Sequence, residues 1–454
     1  MKHTVGDDTM HNAISQCRSC GSRALTPVLS LGGGNGWAIC DPEKDPTACG
    51  LLQRLWDMPK PDVHEIAVSR TGRHRLRATT TGVMEMISAR DSKALDIGCG
   101  DGTLLTYLPR WIECCGIDRH PVPPGPGREA GTFVRGDFPS KSAMRQLGKV
   151  GGREKFDIIT AISVLGEQDD PLDFLQAVRQ LLARDGVAVI ETPYASLALM
   201  RNNPSAFHAE AQALYSLQAL ENLVTRAGLK IVRGGMTETA GGSLRVYLSH
   251  EECHDYTDTM WLNQLARLWD EEASLALDAP QTYQAFSWRM ERNRQQAQEW
   301  IAGLKRTGSH IHLIGADAGS LFLADWVGLD RDVVSAVISR DPDLHGCQVK
   351  LGGGMVDILC EREQLEPLPV PDAIIAPAGL RREALEHWRE AIFEGAELAF
   401  LSPDFARVTD RNYGAELGKA LAVTDGPGSV DTLRAVLASV QRPQLVSVST
   451  ASNG

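Results

Sequence analysis

Through the middle of the chain, short apolar runs alternate with amphipathic stretches. The segments "KALDI" (93–97), "ECCGI" (113–117), "TFVR" (132–135), "FDIITAI" (156–162) and "VAVIE" (187–191) read as strands, mostly of the buried, apolar kind. Between the last two, "LDFLQAVRQLLA" places its apolar residues at helical spacing. "SLQALENLVTRAGL" (216–229) reads as another helix. Ser216 can cap its first turn and Gly228 can stop it. "SLRVYLS" then returns to a strand pattern. This alternation predicts a mainly parallel sheet with helices on both faces.

The segment from about 255 to 305 is polar, rich in Gln, Arg and Glu, and helical in period, with its Trp and Met residues expected in the core. Alternation resumes with "HIHLIGA", "SLFLADWVGL", "SAVISR", "MVDIL", "DAIIAPA", "EALEHWREAIF" and "ELAFL", which predicts a second, smaller doubly wound domain. Residues 1–68 are rich in cysteine and glycine and show little periodicity. The expected division is a small N-terminal domain over 1–68, a Rossmann-like domain over 69–254, a C-terminal Rossmann-like α/β domain over 255–410, and a flexible tail over 411–454 that ends in "SVSTASNG".

At 454 residues the chain is long enough for two or three domains. Its 43% hydrophobic and 23% charged content is ordinary for a soluble protein. No run approaches the roughly 18 apolar residues of a membrane span, and "MKHTVGDDTMHN" lacks the apolar core of a signal peptide. The expectation is a cytoplasmic protein with no membrane partner. A net charge of −12 argues against a nucleic-acid partner. Ten cysteines in such a compartment do not suggest a disulfide framework. Cys99, Cys114, Cys115, Cys253, Cys347 and Cys360 are expected to be inert core residues.

The first chemistry sits after "KALDI". The turn "GCGDG" spaces Gly98, Gly100 and Gly102 as G-x-G-x-G, whereas dinucleotide folds use G-x-G-x-x-G. The strand ends on Asp96 and the turn carries Asp101. Two carboxylates would repel a pyrophosphate but attract a ligand with an ammonium and a sulfonium. The glycines let backbone pass close beneath it. S-adenosylmethionine is the expected cofactor. Asp118 closes the second strand, where an acid can accept from both ribose hydroxyls. "FVRGDF" puts Asp137 at the end of the third strand, suited to the exocyclic amine of adenine, with Phe138 beside the ring. One such acid could simply cap a turn; three in order, each at a strand end, point to the cofactor.

The second chemistry is "CRSC". Cys17 and Cys20 form a C-x2-C pair, and Cys40 and Cys49 form a wider C-x8-C pair. Four soft ligands in a block with few apolar residues suit a structural, tetrahedral Zn2+ that supplies folding energy. The alternatives are a lone C-x-x-C pair, or His64 or Asp45 in place of Cys40.

Taken together, "CRSCGS", "CGLLQ", "LDIGCGDGTLL", "ETPY", "GGSLRVYL", "IGADAGSLFLADWVG" and "VVSAVISRDPDLHG" make residues 15–405 resemble the deoxysugar C-methyltransferases. These act on nucleotide-linked 4-keto-6-deoxy sugars. The resemblance implies a zinc-binding domain, a class I methyltransferase domain and a C-terminal Rossmann-like domain, with the first and last flanking the sugar nucleotide. It also implies deprotonation of the carbon beside the ketone, followed by attack on the sulfonium methyl. That chemistry needs a general base and donors for the enolate oxygen.

The base-bearing segments depart from that family. Where it has Y-H-E-H, counted from Pro193, this chain reads "HAEA": His208 for tyrosine, Glu210 retained, and Ala211 for the catalytic histidine. Ile162 and Ser163 replace an Asn-Asn pair, and Glu167 replaces a histidine. The tyrosine-rich segment before the first strand is replaced by "VHEIAVSRTGRHRLR". Ala240 stands where a histidine precedes "GGSLRVYL", and the glycine-lysine turn of the C-terminal domain reads "GADAGS".

His208 is then the best remaining base, with a surface histidine as the alternative. Glu167 and Glu210 are either a pair able to hold and deprotonate an acceptor or solvated loop acids. Arg245 either meets a substrate phosphate or forms an internal salt bridge. Tyr194 and Tyr247 read as packing. Arg70, Arg73, Arg75 and Arg77 either draw in a diphosphate or are solvated. The expected function is methyl transfer from S-adenosylmethionine to a small-molecule biosynthetic intermediate, foremost C-methylation of a nucleotide-linked keto-deoxysugar or similar. N- or O-methylation of another intermediate, or a catalytically silent homologue, stays open. The oligomeric state is not legible.

Overall fold

The structure is a computed structural model. It describes residues 13–31, 36–56, 70–87, 91–122, 125–150, 155–208, 210–237, 242–360, 371–402 and 404–424. Three sheets organise them. The smallest contains β1 (Leu25–Ser30), β2 (Gly36–Cys40) and β3 (Leu52–Arg54), and is completed by β9 (Ala213–Leu214) from far along the chain. All its pairings are antiparallel, with Leu52 opposite Leu214 and Gln53 opposite Ala213.

The second sheet has seven strands in the order β10-β11-β8-β7-β4-β5-β6. They are β4 (Lys93–Ile97), β5 (Glu113–Asp118), β6 (Thr132–Arg135), β7 (Phe156–Ile162), β8 (Leu182–Pro193), β10 (Leu229–Thr237) and β11 (Ser243–His250). Strands β4 to β8 are parallel, and β11 and β10 add antiparallel pairings at one side. All five residues of β4 are buried, as its central position requires. The chain steps from β4 to β5 and β6 on one side, then crosses to β7 on the other. The glycine turn after β4 therefore opens at a topological switch point, where α/β sheets bind ligands.

The helix Pro171–Leu181 forms as its spacing predicts. Asp170 caps it by accepting from the Asp173 N–H, and Phe174, Leu175, Val178 and Leu181 are buried. The helix Leu217–Arg226 is capped by Ser216, which accepts from the Ala219 N–H at 3.0 Å. Gly228, at φ +73°, ends the turn that follows it.

The third sheet has the order β14-β15-β13-β12-β16-β17-β18. It comprises β12 (Ile311–Ile314), β13 (Val334–Ser339), β14 (Gln348–Leu351), β15 (Gly354–Cys360), β16 (Ala373–Ala376), β17 (Glu397–Phe400) and β18 (Ala406–Val408). Its five inner strands are parallel, and its switch point lies between β12 and β16. The turn Gly315–Ser320 follows β12 and leads into the helix Ala318–Val327, capped by Asp317.

The small sheet is wedged between the cores of the two larger ones. Trp37 and Ile39 of β2 join the C-terminal core with Phe286 and Met290, whereas Cys40, next along the strand, joins the core of the second sheet with Leu165 and Phe174. Side chains alternate across a strand, so β2 is buried on both faces.

Three expectations need correction. The helix Pro280–Thr307 buries Tyr283, Phe286, Met290, Asn293, Ala297 and Trp300 along one stripe. Trp288 falls off that stripe and is 82% exposed, and Met260 is likewise exposed on the preceding helix Thr259–Ala273. Cys347 is exposed rather than core. Residues Tyr413–Thr424 form a helix where a flexible tail was expected, because Tyr413 and Ala420 are buried in the C-terminal core and Glu416 pairs with Arg381. Residues 425–454 lie outside the described set.

Candidate active site

The carboxyl ends of the two large sheets open onto one cleft of about 900 Å3. From the second sheet come Asp96, Gly98, Gly100, Asp101, Asp118, Asp137, Phe138 and Glu167. From the third come Ile314, Gly315, Asp317, Gly319, Arg340 and the loop Pro377–Leu380. The segment after β8 contributes Asn203, Ser205, His208 and Glu210.

The glycine turn is shaped by close approach. Gly98, Gly100 and Gly102 have φ of +73°, +52° and +75°. A Cβ on Gly98 would meet Val164 at 2.5 Å, and one on Gly102 would meet the Gly127 carbonyl at 2.8 Å. Gly102 lies behind the turn and is not among the cleft-lining residues. Asp118, at the end of β5, accepts from the Gly100 N–H at 3.0 Å and from the His120 N–H at 2.8 Å. Each oxygen accepts one backbone bond, and a carboxylate oxygen can accept two. Asp101 accepts from the Thr103 N–H. Phe138 packs edge-on against Phe174.

Asp96 is buried and accepts from the Thr160 hydroxyl at 2.6 Å. Burial, with Asp118 and Asp101 nearby, pushes its carboxyl up to about 7 despite the Thr160 bond. The donor set of a carboxylate at each of three strand ends, with open glycine backbone between, fits a ligand that carries an ammonium, a ribose and an adenine.

His208 follows the 3-10 turn Pro204–Phe207 and faces the cleft rather than the outer surface. Its Nδ1 is sealed from solvent and has no hydrogen-bond partner among the described residues. Burial lowers its pKa from the ordinary 6.5; Arg54 adds to this, and Glu210 and Asp317 oppose it. Glu210 is buried and Glu167 stands on the turn after β7, both on the cleft wall, so neither is a free surface acid. Ser163 adopts φ +61°, a left-handed conformation uncommon for a residue with a side chain.

Arg245 does not line the cleft. It lies opposite Glu191 in the ladder between β11 and β8, and its Nε donates to the Glu191 carboxylate at 2.5 Å. The expected phosphate contact is therefore replaced by the internal salt bridge. Tyr194 donates to buried Glu272 at 2.7 Å, and Tyr247 packs under Arg233. Of the basic run, Arg75 reaches the cleft and Arg77 sits over Tyr107; the side chain of Arg70, together with His64 and Ala240, lies outside the described set.

In the small sheet, the sulfurs of Cys17, Cys20, Cys40 and Cys49 all lie within 4.8 Å of one another. Cys17 and Cys49 are 3.6 Å apart, and Cys20 and Cys40 are 3.4 Å apart. Four thiolates about 2.3 Å from a tetrahedral zinc stand about 3.8 Å from each other, so the set fits such an ion. Gly21 and Gly50, at φ +77° and +73°, turn the chain after the two cysteine pairs. Asp45 is engaged by Ser22 and Thr47 instead.

Of the C-terminal turn "GADAGS", Gly315, Asp317 and Gly319 line the cleft. Sequence reading missed Arg54, Arg340 and the loop Pro377–Leu380. An arginine inside the apolar run "CGLLQRLW" was the available signal for the first. For the others there was none, because they meet the cleft only through tertiary packing.

The fold and cleft define the class: a methyltransferase domain joined to a second α/β domain. A methyltransferase domain family model matches residues 69–233, and a C-methyltransferase C-terminal domain model matches residues 238–402. The chain belongs to the C-methyltransferase family. It is 31% identical over 155 residues to the C-methyltransferase NovU of Streptomyces niveus, covering 34% of this chain and 36% of that protein. The match thus spans about a third of the length of that curated relative. Among solved structures, the TehB-like SAM-dependent methyltransferase of Corynebacterium glutamicum is 18% identical, with a TM-score of 0.27 over 38% of this chain and 87% of that one. The 1,6-didemethyltoxoflavin-N1-methyltransferase of Burkholderia thailandensis is 17% identical, with a TM-score of 0.30 over 40% and 78%. No described helix is long and apolar enough to cross a membrane.

Proposed function

We propose that the chain transfers a methyl group from S-adenosylmethionine to a carbon beside the ketone of a small biosynthetic intermediate, foremost a nucleotide-linked keto-deoxysugar. One observation carries this reading: His208 lines the same cleft as the cofactor-type turn. S-adenosylmethionine supplies an electrophilic methyl group when bound. Asp96 and Asp101 hold its cationic end, Asp118 its ribose, and Asp137 with Phe138 its adenine. His208 is neutral at pH 7 because burial disfavours its charge. It takes the proton from the acceptor carbon, the carboxylates of Glu210 and Asp317 stabilise the imidazolium that forms, and Glu167 lines the same wall. The tetrathiolate cluster holds a structural zinc. Transfer to nitrogen or oxygen is the second reading, favoured by Ala211 standing where related enzymes have their histidine.

The test is to incubate the protein with S-adenosylmethionine and a panel of nucleotide-linked 4-keto-6-deoxy sugars and to read product mass. A gain of about 14 mass units, one methylene equivalent, with the new methyl placed on carbon by NMR of the product, supports the reading. Bound cofactor with no gain on any ketone, and a gain on amines or hydroxyls, replaces it with the second.

A further inference from the structure

The segment that carries His208 and Glu210 has little secondary structure of its own. Among the described residues it closes one turn, the Ala211 N–H donating to the His208 carbonyl at 3.0 Å. Several of its described anchors come from the N-terminal sheet. Arg54, fully buried at the end of β3, donates from Nε to the Ala211 carbonyl at 2.9 Å. Its Nη2 donates to the carbonyls of Phe207 at 3.3 Å and His208 at 2.6 Å. The Arg54 main-chain N–H donates to the Gln212 carbonyl at 3.0 Å, and the Gln212 N–H in turn reaches the carbonyl of Gly166, the neighbour of Glu167, at 2.8 Å. The guanidinium lies 5.0 Å above the Trp37 ring, which meets Phe207 edge-on.

A buried guanidinium is costly to desolvate, and neutral side chains could satisfy single carbonyls. What they could not do is bind three carbonyls of one tight segment with one rigid planar fork. The strand bearing that fork is paired to β2, which ends on Cys40. Before the small sheet begins, Arg18, next to Cys17, donates to the Gln212 side chain at 3.0 Å and to Asp169.

We propose that Arg54 is a positioning residue: it fixes the His208–Glu210 turn against the cofactor turn, so that the cysteine-bound N-terminal module sets the geometry of the acceptor side. The catalytic sense of this rests on the reading of His208 above; the geometric sense does not.

The test compares full-length wild type with Arg54→Met and Arg54→Lys. It reads amide exchange over 207–214, the imidazole titration of His208 by NMR, S-adenosylhomocysteine affinity, and single-turnover methyl transfer. Arg54→Met should raise exchange over 207–214 on the order of tenfold, above any rise elsewhere in the small sheet. It should slow transfer about 10²-fold, the cost of an ångström-scale misplacement, with cofactor affinity unchanged. Lysine keeps the charge but not the fork. It should leave the His208 titration near that of wild type, still loosen 207–214, and recover only part of the rate. If the methionine variant does not fold, the lysine variant decides alone. Unchanged exchange over 207–214 overturns the proposal. So does loosening spread evenly over the whole small sheet, which would mark Arg54 as structural only. Failure of the wild type to methylate any acceptor overturns the functional reading but not the clamp, which exchange and titration still decide.

Discussion

Burial acts in opposite senses on two groups of the cleft. It makes His208 harder to charge and Asp96 harder to ionise. A base must be unprotonated to work, so the acid limb of kcat/KM should have its midpoint below the ordinary 6.5 of histidine. His208→Gln should remove that limb and slow transfer by about 10²- to 10⁴-fold without altering cofactor affinity; full activity would exclude His208. The same shift means the folded state binds fewer protons than the unfolded chain, so its contribution to stability is lost as pH falls below about 6.5. For Asp96 the sign reverses. Its folded value near 7 lies above the ordinary 3.8, so the folded state holds the extra proton and stability declines as pH rises between the two. A cation beside it favours the ionised form. Cofactor binding should therefore weaken as pH falls through about 7 and should release protons at pH 6.5, read by calorimetry in buffers of different ionisation heat. A binding constant flat from pH 5.5 to 8 would remove Asp96 from the cation's surroundings. Asp118→Ala should weaken cofactor binding several-fold or more, about 1–3 kcal/mol for lost bonds to a charged acceptor; unchanged affinity would move the ribose elsewhere.

Among elements, the ladder between β11 and β8 holds the clearest energetic statement. Glu191 is almost fully buried and Arg245 nearly so. Removing one member leaves the other charged and unpaired, so Arg245→Met should cost about 3–5 kcal/mol in urea unfolding while leaving cofactor affinity intact. A cost under about 1 kcal/mol, with weakened acceptor binding, would instead restore the phosphate role. The strand patterns explain why so much was legible. "KALDI" and "FDIITAI" coincide with β4 and β7 because strands buried in a parallel sheet are mostly apolar, and "TFVR" coincides with the edge strand β6, where only Val134 is buried. Asp96, Asp118 and Asp137 stood out for a related reason, since each lies at or just past the end of a strand. Arg245 was not, because sequence cannot tell whether an arginine on a strand finds its partner across the ladder or in a ligand. β9 is too short to leave a pattern, and Trp288 shows that an aromatic residue in a helix need not lie on its buried stripe.

At the scale of the whole molecule, the two large sheets turn their carboxyl edges toward one cleft, and the small sheet is wedged between their cores. The four sulfurs are part of that wedge. Purified protein should contain about one zinc per chain, and chelation should lower Tm and raise exchange over 207–214 along with the cysteine turns. Loss of metal with unchanged Tm would separate the cluster from the fold. The late strand β9 has one more consequence. Ribosomal synthesis delivers the four cysteines early, but the sheet they belong to lacks its last strand until residue 214 has been made, after the parallel core is almost complete. The edge of β3 thus stays unpaired until the segment that also bears His208 has been made, and closing this small sheet is a long-range step in folding.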